Sequence, residues 1–390
     1  MSGNRRAVVA GGGTAGHVVP ALAVANALVA RGWAQGDVEL VGSRRGQDAE
    51  LAGAAGFGVT TLPGRGLVRS FSLPDLWANL GAVAGLVSAT VQAVVLVARW
   101  RPAVVVSVGG YASFPAAAAA VVLRRPLVLV NVDAVPGLVH RVLGRFASAS
   151  AVAFAGTPLP HAVVTGTPVR ADIGSLVRSP AAAGEARRAL GLPADRVTLA
   201  TFGGSLGARR INEAVVDLAG RWRDRGDVSL FQVTGRRDHQ WVTDRVAAAG
   251  AGALAHRVVD FCRQMPLLYQ AADVVVCRAG AMTVAELAAA GVPAVLVPLP
   301  GAPSDHQRAN AEALVAAGAA VMVPDDQCTG ERLDEVVGSL LDDPTRRRAM
   351  ALAARGLARP DAARRVADLV TVVADRRSAA AATGRVAARA

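Results

Sequence analysis

Gly11-Gly12-Gly13-Thr14-Ala15-Gly16 and Gly203-Gly204-Ser205-Leu206-Gly207 are the segments whose residue types suit phosphate chemistry. Where a strand passes into a helix through glycine, unpaired backbone N–H groups and the positive end of the helix dipole point at one spot. Without side chains in the way, an anion can approach that spot closely. One such loop is often only a tight turn; two, each heading an α/β segment, imply two anion sites. His17 closes the first loop and opens a helix. There the dipole disfavours imidazolium, so a neutral ring can accept a proton from a hydroxyl; a capping or solvent-facing histidine is the alternative. Cys277-Arg278-Ala279-Gly280-Ala281-Met282-Thr283-Val284-Ala285-Glu286 leaves an apolar run and enters a helix, so the amides near Gly280 to Thr283 again face an anion. Glu286, about one turn into that helix, can accept two hydrogen bonds from a ribose diol, or else faces solvent. A fourth polar cluster, Asp305-His306-Gln307-Arg308-Ala309-Asn310, lies between a proline-rich loop and an apolar helix.

The elements that must position these residues come in two runs. Arg6 to Ala10, Val38 to Val41, Val104 to Val108 and Pro126 to Val132 read as strands, with a helix predicted from Pro20 to Ala30. The pattern restarts at Val197 to Phe202 and continues through Ser229 to Thr234, Ala272 to Cys277 and Ala294 to Pro298. Strands alternating with helices predict a parallel α/β sheet in each half. The expected division is a first domain over 1–165, a linker over 166–180, a second domain over 181–376 opened by a helix at 181–190, and an Ala/Arg tail over 377–390. Leu76 to Ala98 holds no charged residue and is long enough to span a bilayer. Its alanines, glycines and polar residues favour one or two helices packed on the sheet over a helix lying on a membrane or a true span.

Composition bounds the partners. The 390 residues carry 42 basic and 30 acidic side chains, a net charge of +12, and every basic residue is arginine. With 52% apolar residues the chain is no disordered polyelectrolyte. Cys262, Cys277 and Cys328 form no CxxC pair, which argues against a disulfide framework and a structural zinc site and suits a reducing compartment. No signal peptide is apparent. The arginine excess suits anionic partners, but no zinc-finger, RNP or aromatic-stripe pattern supports nucleic acid.

Five motifs occur together and in order: Gly12 to Pro20, Gly109-Gly110-Tyr111-Ala112-Ser113-Phe114-Pro115, Gly203 to Arg209, Cys277 to Glu286, and Asp305 to Asn310. In this combination the chain resembles the MurG family over roughly residues 6 to 375. The resemblance implies a GT-B architecture of two Rossmann-like domains facing across a cleft. It implies an inverting glycosyltransferase that moves N-acetylglucosamine from UDP-GlcNAc to lipid I, giving lipid II in peptidoglycan synthesis. It further implies no cofactor or metal, a peripheral place on the cytoplasmic face of an anionic membrane, and company with other cell-wall synthesis proteins. Positions matching the family's donor site are Thr14, Ala15, Gly16, Arg170, Ser205, Ala281, Met282, Thr283, Val284, Ala285, Glu286 and Gln307, with the Cys262 backbone at uracil. Arg170 would sit by the phosphates and Glu286 on the ribose. Arg65, Arg69, Arg99 and Arg101 flank the apolar segment and suit anionic headgroups.

Departures from the family pattern cluster in one region. Where the family usually has His-Glu-Gln-Asn, this chain has Val130-Asn131-Val132-Asp133; Leu206 replaces a glutamine and Thr167 an asparagine. Because the usual glutamate is absent, His17 is the leading candidate for the catalytic base and Asp133 the second. Two other readings remain open: a related transferase with a different glycolipid or natural-product acceptor, and a catalytically silent UDP-sugar-binding paralogue.

Overall fold

The computed structural model describes residues 6–44, 48–64, 73–204 and 207–387. Ser205, Leu206, Arg65 and Arg69, all singled out above, lie outside the described residues. The chain divides into two compact units. One comprises Met1–Arg170 with Arg359–Ala390, the other Ala171–Ala358.

The first unit alternates strand and helix: β1 (Ala7–Ala10), α1 (Ala15–Ala30), β2 (Val38–Ser43), α2 (Asp48–Ala54), β3 (Val59–Leu62), α3 (Leu73–Trp100), β4 (Val104–Ser107), α4 (Phe114–Val122), β5 (Leu127–Asn131), α5 (Leu138–Leu143), β6 (Ala149–Val152) and β7 (Ala162–Val164). Among the described residues its strands form one sheet in the order β3-β2-β1-β4-β5-β6-β7, all paired in parallel. The central strands are near-continuous apolar runs, as a sheet covered on both faces requires. β1 reads AVVA and β4 VVVS, buried throughout.

The second unit repeats the scheme: α6 (Ala171–Gly174), α7 (Pro180–Ala189), β8 (Val197–Phe202), α8 (Arg209–Arg221), β9 (Val228–Val233), α9 (His239–Ala249), β10 (Ala255–Val259), α10 (Met265–Ala271), β11 (Val274–Cys277), α11 (Ala281–Ala290), β12 (Ala294–Leu296), α12 (His306–Ala316), β13 (Ala320–Met322), α13 (Gly330–Leu341) and α14 (Pro344–Leu357). Its parallel sheet runs β10-β9-β8-β11-β12-β13. In both sheets the order reverses beside the first strand of the unit, between β1 and β4 and between β8 and β11. Open α/β sheets bind ligands at the carboxyl ends of the strands flanking that reversal.

The last helix, α15 (Ala362–Ala387), corrects the expected division. Val366, Ala367, Val370 and Ala374 are fully buried at helical spacing. α15 packs on α1, β4, β5 and β6 of the first unit. Arg31 pairs with Asp368, and the Trp33 indole donates to Thr371 Oγ1 at 3.1 Å. Residues from Arg359 onward therefore belong to the first unit, not the second, and helix continues to Ala387 through the expected tail. The expected linker also resolves into parts: 166–170 belongs to the first unit, while α6 opens the second.

The Leu76 to Ala98 segment is one helix, α3. Ala82, Ala89, Ala93 and Val97 are buried, the last three in a core shared with Ala116, Ala117 and Ala120 of α4. Its other face exposes Val83, Val87, Val91 and Val95, one valine every fourth residue.

Candidate active site

In the first unit, the glycine turn after β1 leads into α1 with Thr14 at the N-cap and no side-chain cap among the described residues. His17, in the first turn, lies against the turn that follows β4. A Cβ on Gly110 would come within 2.7 Å of the His17 ring, and Gly110 adopts φ +73°, so only glycine allows the ring this close. The turn itself is clamped from below. Asp48, 2% exposed at the start of α2, accepts from the Gly13 amide at 3.0 Å and the Ser43 amide at 2.6 Å. The Gly13 N–H thus faces a carboxylate, and the amides left to meet a phosphate are those further along, at the head of α1.

Beyond the Gly109-Gly110 turn lies a second histidine. His140 of α5 is buried, and its Nδ1 lies 3.1 Å from Asn131 Oδ1 at the end of β5. The Asn131 side-chain amide donates to the Asp133 carbonyl at 2.6 Å. His140 Nε2 lies 3.3 Å from Ser107 Oγ at the end of β4, and Ser107 donates to Ser113 at 2.9 Å. Burial, followed by the proximity of His17, lowers His140 to about 4. The ring is therefore neutral at pH 7 and carries a single N–H, with the Asn131 side-chain oxygen and the Ser107 hydroxyl at its two nitrogens. His17, Gly110, His140, Asn131 and Asp133 thus form one neighbourhood along the carboxyl edge of β1, β4 and β5.

The second unit has its own counterpart. Gly207, at φ +79°, brings the glycine turn against β9's end: a Cβ there would lie 2.1 Å from the Thr234 carbonyl oxygen. α8 begins after this turn at Ala208, and α11 begins after β11 at Gly280; neither has a side-chain cap among the described residues. α7, α13 and α14 are capped by Ser179, Thr329 and Asp343, whereas α4, α5, α9, α10 and α12 share the uncapped start of α8 and α11. Uncapped starts leave backbone donors to be satisfied by solvent or ligand. Around α11 the loops are fastened by polar side chains, of which Asn310 is fully buried. Asn310 donates to the Ala279 carbonyl at 3.1 Å, and Gln307 accepts from the Leu299 amide at 3.0 Å. Arg278 pairs with Asp325 at 2.5 Å and donates to the Val297 carbonyl at 3.1 Å. Glu286 accepts from the Tyr269 hydroxyl at 2.8 Å. Cys262 lines a cavity of about 480 Å³ with Phe261, Arg236 and Arg257, and burial pushes its thiol up. Among the described residues no three His, Cys, Asp or Glu side chains cluster as a metal site would.

The glycosyltransferase family 28 N-terminal domain matches residues 7–152, and the family's C-terminal domain matches residues 198–366. The UDP-N-acetylglucosamine–N-acetylmuramyl-(pentapeptide) pyrophosphoryl-undecaprenol N-acetylglucosamine transferase of Desulforudis audaxviator is 37% identical over 377 residues, 95% of this chain and 98% of that one. The enzyme of the same name from Acidothermus cellulolyticus is 40% identical over 363 residues, 93% of this chain and 96% of that one. The crystal structure of Acinetobacter baumannii MurG matches with a TM-score of 0.72 at 28% identity, over 94% of this chain and 99% of that one. The chain belongs to the MurG family. Its two parallel-sheet Rossmann-like units are those of the GT-B class.

For this MurG-family chain, the sequence-predicted residues fall into separate groups. Thr14, Ala15, Gly16 and His17 head α1; Asp133 follows β5, and Arg170 is exposed at the end of the first unit. Ala281, Met282, Thr283, Val284, Ala285 and Glu286 form the first turns of α11, with Val284 turned inward and buried. Gln307 is at the start of α12. Asp48, His140 and Tyr269 were not predicted from the sequence. Each is a buried side chain whose partner is distant along the chain or in another element, and no local pattern marks them.

Proposed function

We propose that this chain transfers N-acetylglucosamine from UDP-N-acetylglucosamine to the N-acetylmuramyl sugar of a pyrophosphoryl-undecaprenol carrier, converting lipid I to lipid II with inversion. The observation that carries this reading is identity of 37–40%, nearly end to end, with transferases of that name. The acceptor hydroxyl attacks the anomeric carbon, the C–O bond to the diphosphate breaks, and UDP leaves with the bonding pair. Charge then grows on the diphosphate, and preorganised donors are the efficient way to stabilise it. In the second unit the uncapped starts of α8 and α11 suit that task, with Glu286 on the ribose, Gln307 beside it and the Cys262 backbone at uracil. In the first unit the amides at Thr14 to Gly16 and the Arg170 guanidinium have the matching chemistry. His17 takes the proton from the attacking hydroxyl, and Asp133 is the alternative base.

The acceptor is carried by a lipid, and α3 supports attachment to an anionic membrane surface. Its valine stripe is exposed, as are Val122 on α4 and Leu138, Val142 and Phe146 on and after α5. Arg99, Arg101, Arg124, Arg141 and Arg145, on or next to the same helices, are exposed too, and apolar contact with flanking basic charge suits such a surface.

A lipid I analogue with UDP-GlcNAc tests the reaction. We expect His17→Ala to abolish transfer while UDP still binds. Normal turnover in that variant removes His17 from the mechanism, and loss of turnover in Asp133→Asn alone moves the role to Asp133. Asn131 and Asp133, where the family usually has glutamate and asparagine, favour one second reading: a different glycolipid acceptor. Donor turnover with another glycolipid but none with lipid I would establish it.

A further inference from the structure

Glu286 does not hold its position on α11 unaided. Tyr269 of α10 is fully buried, and its hydroxyl donates to Glu286 Oε2 at 2.8 Å. The ring meets Phe202 edge to face, with centroids 6.2 Å apart and planes at 74°. Phe202 is the last residue of β8, directly before the second glycine turn. A single side chain thus ties the strand end that sets the glycine turn to the carboxylate one turn into α11.

The hydroxyl is not explained by packing, because phenylalanine would fill the same volume. A buried hydroxyl is retained at a cost unless it is paired. Here the pairing has only one direction: an ionised carboxylate can accept but not donate, so the phenol must give its proton. Burial, and then the carboxylate, push the phenol well above its usual range, which keeps it a donor. A charge-assisted bond from a rigid, fully packed ring fixes where the carboxylate points.

We propose that Tyr269 is a positioning residue for donor recognition, aiming the Glu286 carboxylate at the ribose diol of the nucleoside diphosphate sugar. This rests on the reading of Glu286 as the ribose ligand. Its consequence is specificity: Tyr269 governs how strongly the protein prefers a ribose donor to a 2′-deoxyribose one.

The test measures kcat and KM of the full chain with UDP-GlcNAc and with its 2′-deoxy analogue, for the wild type, Glu286→Ala and Tyr269→Phe. The wild type should prefer the ribose donor, and Glu286→Ala should lose most of that preference. Tyr269→Phe should raise KM for the ribose donor by roughly tenfold, the worth of one hydrogen bond to a charge, with a smaller fall in kcat. Its KM for the deoxy donor should move little, so the two donors converge. If Glu286→Ala keeps the wild-type preference, the ribose reading fails and the proposal with it. If Glu286→Ala loses the preference and Tyr269→Phe keeps it, the ribose reading stands and the positioning role is overturned. Equal losses with both donors in Tyr269→Phe signify damaged packing and also overturn it. Should Tyr269→Phe not fold, Phe202→Leu loosens the ring while leaving its hydroxyl; there too the donors should converge, and an unchanged preference overturns the proposal.

Discussion

Replacing Val83, Val87, Val91 and Val95 together with serine should detach the protein from anionic vesicles without unfolding it. These valines are 49%, 59%, 61% and 61% exposed, equivalent to a little over two complete side chains available for burial. At about 1.5 kcal/mol per buried valine, the low end for such residues, the stripe is worth about 3 kcal/mol of membrane affinity. Since about 1.4 kcal/mol is a factor of ten, the partition coefficient should fall roughly a hundredfold. The helix should survive, because serine and valine have similar helix propensity and the buried face of Ala82, Ala89, Ala93 and Val97 is untouched. The assay is co-sedimentation with vesicles containing phosphatidylglycerol, with a thermal melt as the control for folding. Binding should also weaken as salt is raised, because the flanking arginines act through a screened field. A quadruple variant that melts like the wild type and sediments equally well would refute the assignment of α3 to the membrane.

Three further outcomes are expected. Asp48→Ala strips a buried carboxylate from the Gly13 and Ser43 amides and should lower stability by about 2–4 kcal/mol, read by denaturant titration, with transfer falling as the first glycine turn loosens. Burial lowers the His140 pKa to about 4 in the fold, against its ordinary 6.5 in the unfolded chain. Its contribution is thus complete above pH 6.5 and lost as pH falls toward 4. His140→Gln should remove about one proton from the pH slope of stability over that window, measured by melts at stepped pH. Gly207→Ala forces a Cβ onto the Thr234 carbonyl at an unfavourable φ, and calorimetry should find UDP binding weakened with the first unit's packing intact.

Most of the fold was legible because a parallel strand buried on both faces announces itself as a short apolar run. Val197 to Phe202 is β8 residue for residue, and the other predicted strands differ from the structure by one or two residues at an end. The weaker strands were not legible. β3 reads VTTL and β7 reads AVV, too short and mixed to stand out from their surroundings. The placement of α15 was hidden for a different reason: its apolar stripe says that something covers it, and only the tertiary contacts say that α1 does. The same limit applied to the site. The glycine turns and Glu286 could be read locally, since their chemistry follows from backbone and position. Asp48 meets Gly13 from 35 residues away, and Tyr269 meets Glu286 from 17. Such pairings exist only once the sheet order has set which strand ends are neighbours.

The return of α15 to the first unit makes the molecule an insertion: Ala171–Ala358 interrupts a body begun before it and finished after it. During synthesis the inserted unit emerges whole and can complete its core while its host still lacks the helix that covers α1. The host, although first in sequence, is the last to be finished. A fragment ending near Ala358 would therefore harm the first unit, not the second that it appears to trim, whereas Ala171–Ala358 is the contiguous piece to express on its own.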